Sequence, residues 1–310
     1  MNELFRRMLA LPPQAGSLAR SIDTLHYIVI GTAFVVAFAV FALVVYFLVR
    51  FRERPGEPRR TYKVPAKIEI GLTAVTLAVF IAFWVVGFGQ FRAIRTTTPG
   101  APRVYVVAKQ WMWEAVYPDG TAVQDDIRVP VGRPVVLLLT ARDVIHSFYV
   151  PSFRLKQDVV PGRITELEIT ATEPGEWDIL CAEYCGTGHS RMRGRVIALP
   201  PADYAAWLES HATPDLAATG LKLAAEKGCL RCHTVDGTPH LGPTFRGLYG
   251  STVELANGTT VVADEAYLTE SMMDPTVKMV RGFQPLMPAY LGQLAGPETA
   301  AIVEYIRSLR

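Results

Sequence analysis

Two runs without a charged side chain, residues 27–49 (YIVIGTAFVVAFAVFALVVYFLV) and 70–91 (IGLTAVTLAVFIAFWVVGFGQF), constrain this chain more than anything else in it. At about 1.5 Å per residue, each run is long enough to cross a hydrocarbon layer of about 30 Å. A buried core helix rarely goes so far without a charge, and the apolar stretch of a signal peptide is shorter and ends at small residues. Two membrane helices are therefore expected. Their connection, RFRERPGEPRRTYKVPAK, holds seven Lys or Arg, against three in the 26 residues before the first run. The excess of cations places this loop in the cytoplasm, and so places the N-terminus and everything after residue 92 on the outer, periplasmic side. No cleavable signal is evident. A net charge of +2 gives no reason to expect nucleic acid as a partner.

Residues 100–200 change character. Short β-rich runs (RVYVVAKQWMWEAVY, RPVVLLLTA, TELEITA, RVIAL) alternate with turns such as PDG, VPVG and EPGE, the pattern of a small β-sandwich or barrel. A proline-containing connection near residues 200–215 follows; a short flexible tether there gives an effective concentration on the order of millimolar. Beyond it, LAATGLKLAAEKGC and GPETAAIVEYIRSLR have helical periodicity, with a loop-rich stretch between them. The expected architecture is a transmembrane hairpin within 1–95, an all-β domain at 96–203 and a small all-α domain at 213–310, with no internal repeat.

Four cysteines in an exported chain would ordinarily read as two disulfides. Both local pairs argue otherwise. Cys229, Cys232 and His233 form C-x-x-C-H, in which two thiols attach a c-type haem and the histidine ligates its iron; a redox dithiol is the alternative for so short a pattern. The preceding helix, GPTFRGLYG, the LMPAY step and the final amphipathic helix together resemble a class I cytochrome c domain. That resemblance implies a methionine as second axial ligand. Of Met272, Met273, Met279 and Met287, only Met287 has the family's following proline and helix. It also implies that the Pro243 carbonyl holds the His233 ring.

The stretch GEWDILCAEYCGTGHSRMRGRV packs two cysteines, a glutamate, a histidine and a methionine into the twelve positions from Cys181 to Met192. Thiolate, imidazole and thioether are soft donors that suit electron-transfer copper. Zinc is the metal alternative, though it does not call for the methionine. The order H…C-x-E-x-C-x-x-x-H-x-x-M resembles the binuclear copper centre CuA. The resemblance implies bridging by Cys181 and Cys185, one imidazole each from His146 and His189, the Met192 thioether and the Glu183 carbonyl. His146 lies 35 residues before Cys181, in a segment of its own that matches the same family.

Residues 20–200 as a whole resemble subunit II of the haem-copper cytochrome c oxidases: two N-terminal spans, then a cupredoxin-like Greek-key domain carrying CuA. With a haem domain appended, the chain resembles the caa-type variant. The resemblance implies a membrane partner, subunit I, with other oxidase subunits and an upstream donor. Electrons pass from haem c to CuA and on to subunit I, where dioxygen is reduced and protons are pumped. Trp111 then matches the aromatic residue that receives electrons beside CuA; the family's next tyrosine is Met112 here, and Trp113 reads as core packing. Glu183 would also reach a magnesium ion shared with subunit I, and Glu69, at the cytoplasmic start of the second span, would admit protons. His26, His211 and His240 read as boundary or surface residues. Arg142, Arg154, Lys156 and Arg163 flank the copper segments and face either haem propionates or solvent. An alternative reading is a tethered haem c/CuA subunit serving a nitric oxide reductase or another acceptor. A soluble nitrous oxide reductase is excluded, because it lacks the two spans.

Overall fold

A computed structural model describes residues 2–52, 63–212 and 215–310, which form two compact units. The first holds a short helix α1 (Asn2–Met8) and two long ones, α2 (Ala19–Arg50) and α3 (Ala66–Arg95), of 32 and 30 residues. Both long helices run past the charge-free stretches, ending on Arg50 and Arg95. The apolar windows of α2 and α3 are not covered by the chain itself, so lipid or a partner must cover them. Two threonines of α3 are satisfied locally: the Thr73 and Thr76 hydroxyls donate to the carbonyls of Glu69 and Leu72. Gln90 Nε2 donates to the Ser21 carbonyl at 2.9 Å, linking α3 to α2. Most of the basic connection between them, residues 53–62, lies outside the described residues.

The second unit comprises Gln14–Ser17 and everything from Arg95 onward. Its β part is a sandwich of ten strands: β1 (Arg103–Lys109), β2 (Met112–Val116), β3 (Ala122–Gln124), β4 (Asp126–Pro130), β5 (Val135–Ala141), β6 (His146–Val150), β7 (Leu155–Val159), β8 (Thr165–Ile169), β9 (Gly175–Cys181) and β10 (Arg193–Leu199). One sheet has the order β3-β2-β1-β5-β8 and the other β4-β10-β9-β6-β7. The run RVYVVAKQWMWEAVY is thus a hairpin, folded back so that Lys109 faces Met112. Trp113, Phe148, Phe153, Leu137 and Ile179 fill the space between the sheets.

The segment ahead of α2 completes this sandwich. Ala15 N donates to the Ser152 carbonyl and Thr172 N to that of Ala15, both at 2.9 Å, while Gly16 pairs antiparallel with Ala171. Gly16 is required there, because a Cβ would stand 2.9 Å from Phe153 Cα.

The proline-containing connection, read from the sequence as a short tether, contains a helix, α4 (Pro201–His211), started by proline in its first turn. Its Trp207 packs edge-on to Tyr117 at 5.0 Å and lies under the Arg128 guanidinium at 4.9 Å. Then come α5 (Leu216–Glu226), the hairpin β11 (Thr252–Glu254) and β12 (Thr260–Val262), α6 (Glu265–Met273) and α7 (Gly296–Ser308). The stretch expected to be loop-rich therefore contains a hairpin and a helix. Asn257-Gly258, with Gly258 at φ +82°, makes the hairpin turn, and Asp264 caps α6 by accepting from Tyr267 N. α5 crosses α7 so closely that a Cβ on Gly220 would fall 1.9 Å from the Ala301 carbonyl oxygen.

The helical domain packs on the outer face of the β1–β2–β5 sheet. β5 is buried along its whole length: Leu137 and Leu139 face the sandwich core, while Val136 and Leu138 join Tyr105, Val116 and Ala300 of α7. The buried Tyr105 hydroxyl bonds to the Glu265 carbonyl and the Thr269 hydroxyl of α6. Arg103 pairs with Glu166 at 3.0 Å and with Asp264 at 3.1 Å.

Candidate functional site

Strand pairing brings the soft donors together. β6 runs beside β9 with Phe148 opposite Cys181, and Cys181 N donates to the Met192 carbonyl, so His146, Cys181 and Met192 converge at one end of the sandwich. The loop after β9 then turns Cys185 and His189 inward. Cys181 Sγ stands 3.7 Å from Cys185 Sγ and 3.9 Å from His146 Nδ1. Cys185 Sγ is 3.6 Å from His189 Nδ1 and 3.8 Å from Met192 Sδ. The Cys181 thiol donates to the Glu183 carbonyl at 3.2 Å. All six expected metal-binding residues thus meet in one cluster. The sulfurs are far beyond bonding distance, and all four cysteines are free. His146, Cys181 and Cys185 are the one group of His, Cys or carboxylate donors set for a metal among the described residues. Two thiols, two imidazoles and a thioether fit copper by their softness.

The cluster is prepared for positive charge. Burial works against a Cys181 thiolate, yet hydrogen bonds from His146, the Ser147 and Glu183 backbone and Cys185 bring its pKa down to about 6. Burial and the neighbouring Cys181 sulfur push Cys185 the other way, upward. Burial would lower His146, but Cys181 and Asp143, facing its two ring nitrogens, raise it. Asp143 escaped the sequence reading. Its carboxylate accepts from Gln110 N at 2.6 Å and Val144 N at 2.7 Å, and meets His146 Nε2 at 2.8 Å, which aims Nδ1 at the sulfurs. An acidic residue three positions before the histidine, in RDVIH, was the available signal.

Trp111 sits over this loop. Its Nε1 donates to the Cys185 carbonyl at 3.1 Å, it stays 37% exposed, and Gly188 lies beneath it, where a Cβ would be 2.2 Å from the indole. Trp113, by contrast, is fully buried, with its ring edge toward Phe148 at 5.2 Å. The Glu183 side chain is exposed, and Glu69 is exposed in the first turn of α3.

The helical domain carries a second cleft. Cys229 and Cys232 lie in and just after a tight 3-10 turn, and His233 Nδ1 donates to the Pro243 carbonyl at 2.8 Å, leaving Nε2 as the free ring nitrogen. The ring stacks on Phe245 at 4.6 Å, and Gly242 leaves room for it, since a Cβ would be 2.6 Å from Cε1. Burial lowers the His233 pKa, and the Pro243 hydrogen bond works against that lowering. Met287, Met272 and Met279 line the same apolar cleft as His233. Met273 does not; it lines a small cavity toward the β domain. Two thiols, a neutral imidazole and a thioether around an apolar slot fit a covalently attached haem.

The remaining candidates lie away from both sites or have partners within the chain. The His211 ring packs on Trp207 at 5.2 Å and His26 is 6.4 Å from Tyr27, while His240 N donates to the Gly242 carbonyl. Arg154 donates to the Pro151 carbonyl, Lys156 pairs with Asp158, and Arg142 reaches the Leu294 carbonyl of the helical domain at 2.8 Å.

A β-sandwich with a cluster of thiols, imidazoles and a thioether, a C-x-x-C-H helical domain and two helices apolar and long enough to cross a membrane offer donor sets that fit copper and haem c. Residues 103–198 match the family model described as cytochrome c oxidase subunit II, periplasmic domain, and residues 217–310 match that of cytochrome c. Cytochrome c oxidase subunit 2 of Alkalihalophilus pseudofirmus is 32% identical over 92% of this chain and 85% of its own length. The alternative cytochrome c oxidase subunit 2 of Bradyrhizobium diazoefficiens is 33% identical over 62% of this chain and 80% of its own. Among solved structures, the periplasmic domain of subunit II of cytochrome oxidase from Bradyrhizobium japonicum covers 37% of this chain and 96% of its own, at 28% identity and a TM-score of 0.35. The chain belongs to the cytochrome c oxidase subunit 2 family, in a form with a cytochrome c domain.

Proposed function

We propose that this chain relays electrons from its own haem domain, through a binuclear copper centre, to subunit I of a proton-pumping haem-copper oxidase that reduces dioxygen to water. The gathering of six soft or carbonyl donors from two separate segments, in the same compact unit as the C-x-x-C-H cleft, carries the reading. Cys181, Cys185, His146, His189, Met192 and the Glu183 carbonyl would hold the copper pair. Bound there, copper supplies a one-electron relay whose charge change is spread over two metals. Cys229 and Cys232 would anchor the haem, and His233 and Met287 would ligate its iron, which supplies the donor.

The protein groups hold this machinery still. Asp143 fixes the His146 tautomer, Pro243 fixes the His233 ring, and burial of His146, Cys181, Cys185 and Met192 keeps water from the cluster. Trp111, on the Cys185 carbonyl and partly exposed, is the acceptor facing a donor outside the chain. The exposed Glu183 carboxylate would contribute to a magnesium site completed by subunit I, and Glu69 would admit protons toward that subunit. Gln14–Ser17 pair with the β domain directly ahead of α2. This supports a multi-pass chain in the bacterial inner membrane, divided as 1–95, 96–203 and 213–310, with both folded domains on the periplasmic side.

The test is spectroscopy of the full chain, purified in detergent with copper supplied and haem matured. A c-type reduced spectrum with a mixed-valence signal of one electron shared over two coppers is expected. Haem without that signal would overturn the relay and leave a tethered cytochrome.

A further inference from the structure

The contact between the two domains has one polar link at the copper end of the sheet. Arg142 follows β5 directly; its backbone N donates to the Ala108 carbonyl at 3.0 Å, and its Nη2 donates to the Leu294 carbonyl at 2.8 Å. Leu294 is 2% exposed and its N donates back to the Tyr290 carbonyl. Tyr290 lines the haem cleft, its hydroxyl donates to the Lys227 carbonyl two residues before Cys229, and its N donates to the Met272 carbonyl. On the other side, the residue after Arg142 is Asp143, whose carboxylate holds His146 Nε2 at 2.8 Å. A continuous path of bonds and hydrogen bonds thus runs from the wall of one site to a ligand of the other: Tyr290, Leu294, Arg142, Asp143, His146. Trp111 is not on it, for its indole Nε1 bonds to the Cys185 carbonyl instead.

We propose that Arg142 is a positioning residue that seats the 290–294 loop against the His146 side of the copper cluster. The fused domain then delivers its electrons through Leu294, Arg142 and Asp143, apart from the exposed Trp111 that serves an external donor. This rests on the function proposed above. With both groups bound, one electron would be given up at the site of Cys229, Cys232 and His233 and one taken up at the site of Cys181 and Cys185; no bond would form or break and no proton would move. A guanidinium suits the task because its charge strengthens the hydrogen bond to a buried carbonyl, while its base is fixed by the sheet. Elsewhere the domains meet through the apolar surface around Tyr105, Val116 and Ala300, the Arg103–Asp264 ion pair and the bonds of the Tyr105 hydroxyl to α6, so losing Arg142 unseats one loop without separating the domains.

The experiment compares the full chain, copper- and haem-loaded, with Arg142→Met, which keeps the bulk, and Arg142→Lys, which keeps a cationic donor. Internal transfer is timed after photoreduction of the haem, and hydrogen exchange is read over residues 265–273 and 288–296. In Arg142→Met the ratio of seated to unseated loop falls about tenfold, the weight of one charge-assisted hydrogen bond in an equilibrium, and internal transfer slows with it. Exchange rises at 288–296 and not at 265–273, the copper signal is unchanged, and Arg142→Lys restores most of the rate. Internal transfer at the parental rate in Arg142→Met would overturn the proposal. So would exchange rising equally over both segments, which marks undocking. If the parent lacks the mixed-valence copper signal, it is the relay reading that fails; the exchange comparison still decides whether Arg142 seats the loop.

Discussion

Replacing Gly220 by alanine sets two known effects against each other. In an exposed helix, alanine is favoured over glycine by about 1 kcal/mol. Here the new methyl carbon would stand 1.9 Å from the Ala301 carbonyl oxygen and 2.7 Å from Tyr305 Cβ. Ordinary carbon–oxygen contacts begin near about 3.3 Å, so α5 and α7 must part by roughly 1.4 Å. A gap of about 1 Å already forfeits up to half of each dispersion contact across the crossing, and overpacking a core costs about 1–3 kcal/mol. Taking the upper end for a backbone obstacle that cannot rotate away, the clash exceeds the propensity gain by about 2 kcal/mol. For a domain of this size, that lowers the midpoint of thermal unfolding by roughly 8–16 °C. The assay is a thermal scan of the full, haem-loaded chain followed by visible haem absorbance, with circular dichroism as a second probe. An equal or raised midpoint in Gly220→Ala would refute the close crossing and the role given to glycine there.

Asp143→Asn should leave the sandwich intact but weaken copper retention about 10- to 100-fold, because His146 loses the carboxylate that orients it; competition with a chelator measures this. Gly188→Ala should displace the Trp111 indole, since Gly188 itself has an ordinary φ of −89° and the three atoms nearest the new methyl all belong to the ring. Slower reduction of the copper centre by a soluble external donor is expected, and an unchanged rate would count against Trp111 as acceptor. Trp207→Ala should release α4 from Tyr117 and Arg128, seen as faster proteolysis between residues 200 and 215 with both cofactor spectra unaltered. Glu69→Gln should slow turnover and reduction of the active-site haem in the assembled oxidase; unchanged kinetics would remove it from the proton route.

The parts legible in the sequence are those whose chemistry is local. C-x-x-C-H needs five consecutive positions, and the charge-free runs announce themselves by composition. The Cys181–Met192 stretch stands out by its density of soft donors, and His146 could be added because its segment resembles the matching segment of the same family. Asp143 was in view beside it, but its meaning depends on the backbone amide of Gln110, 33 positions away, which only the folded hairpin tip brings near. The Arg142–Leu294 contact joins residues 152 positions apart, and nothing periodic marks either. The strap at Gln14–Ser17 was hidden for the same reason: a short stretch before a membrane helix carries no strand pattern, and its partners are Ser152 and Ala171. Two features were readable and passed over. Asn257-Gly258 between β-branched runs is a hairpin signal, and VVLLL in β5, apolar at every position instead of alternate ones, marks a strand covered on both faces.

That second covering bears on how such a chain could have arisen and whether it can be undone. Tyr105, Val116, Val136 and Leu138 present to the haem domain a surface as oily as a protein interior. A gene shortened to stop after α4 would leave that surface bare, and its product would stick to itself or to its neighbours. Separating the two domains into two genes would therefore demand polar substitutions across the outer sheet in the same lineage. A sheet face fitted to a permanent neighbour acts as a ratchet, because exposing it again takes several changes at once.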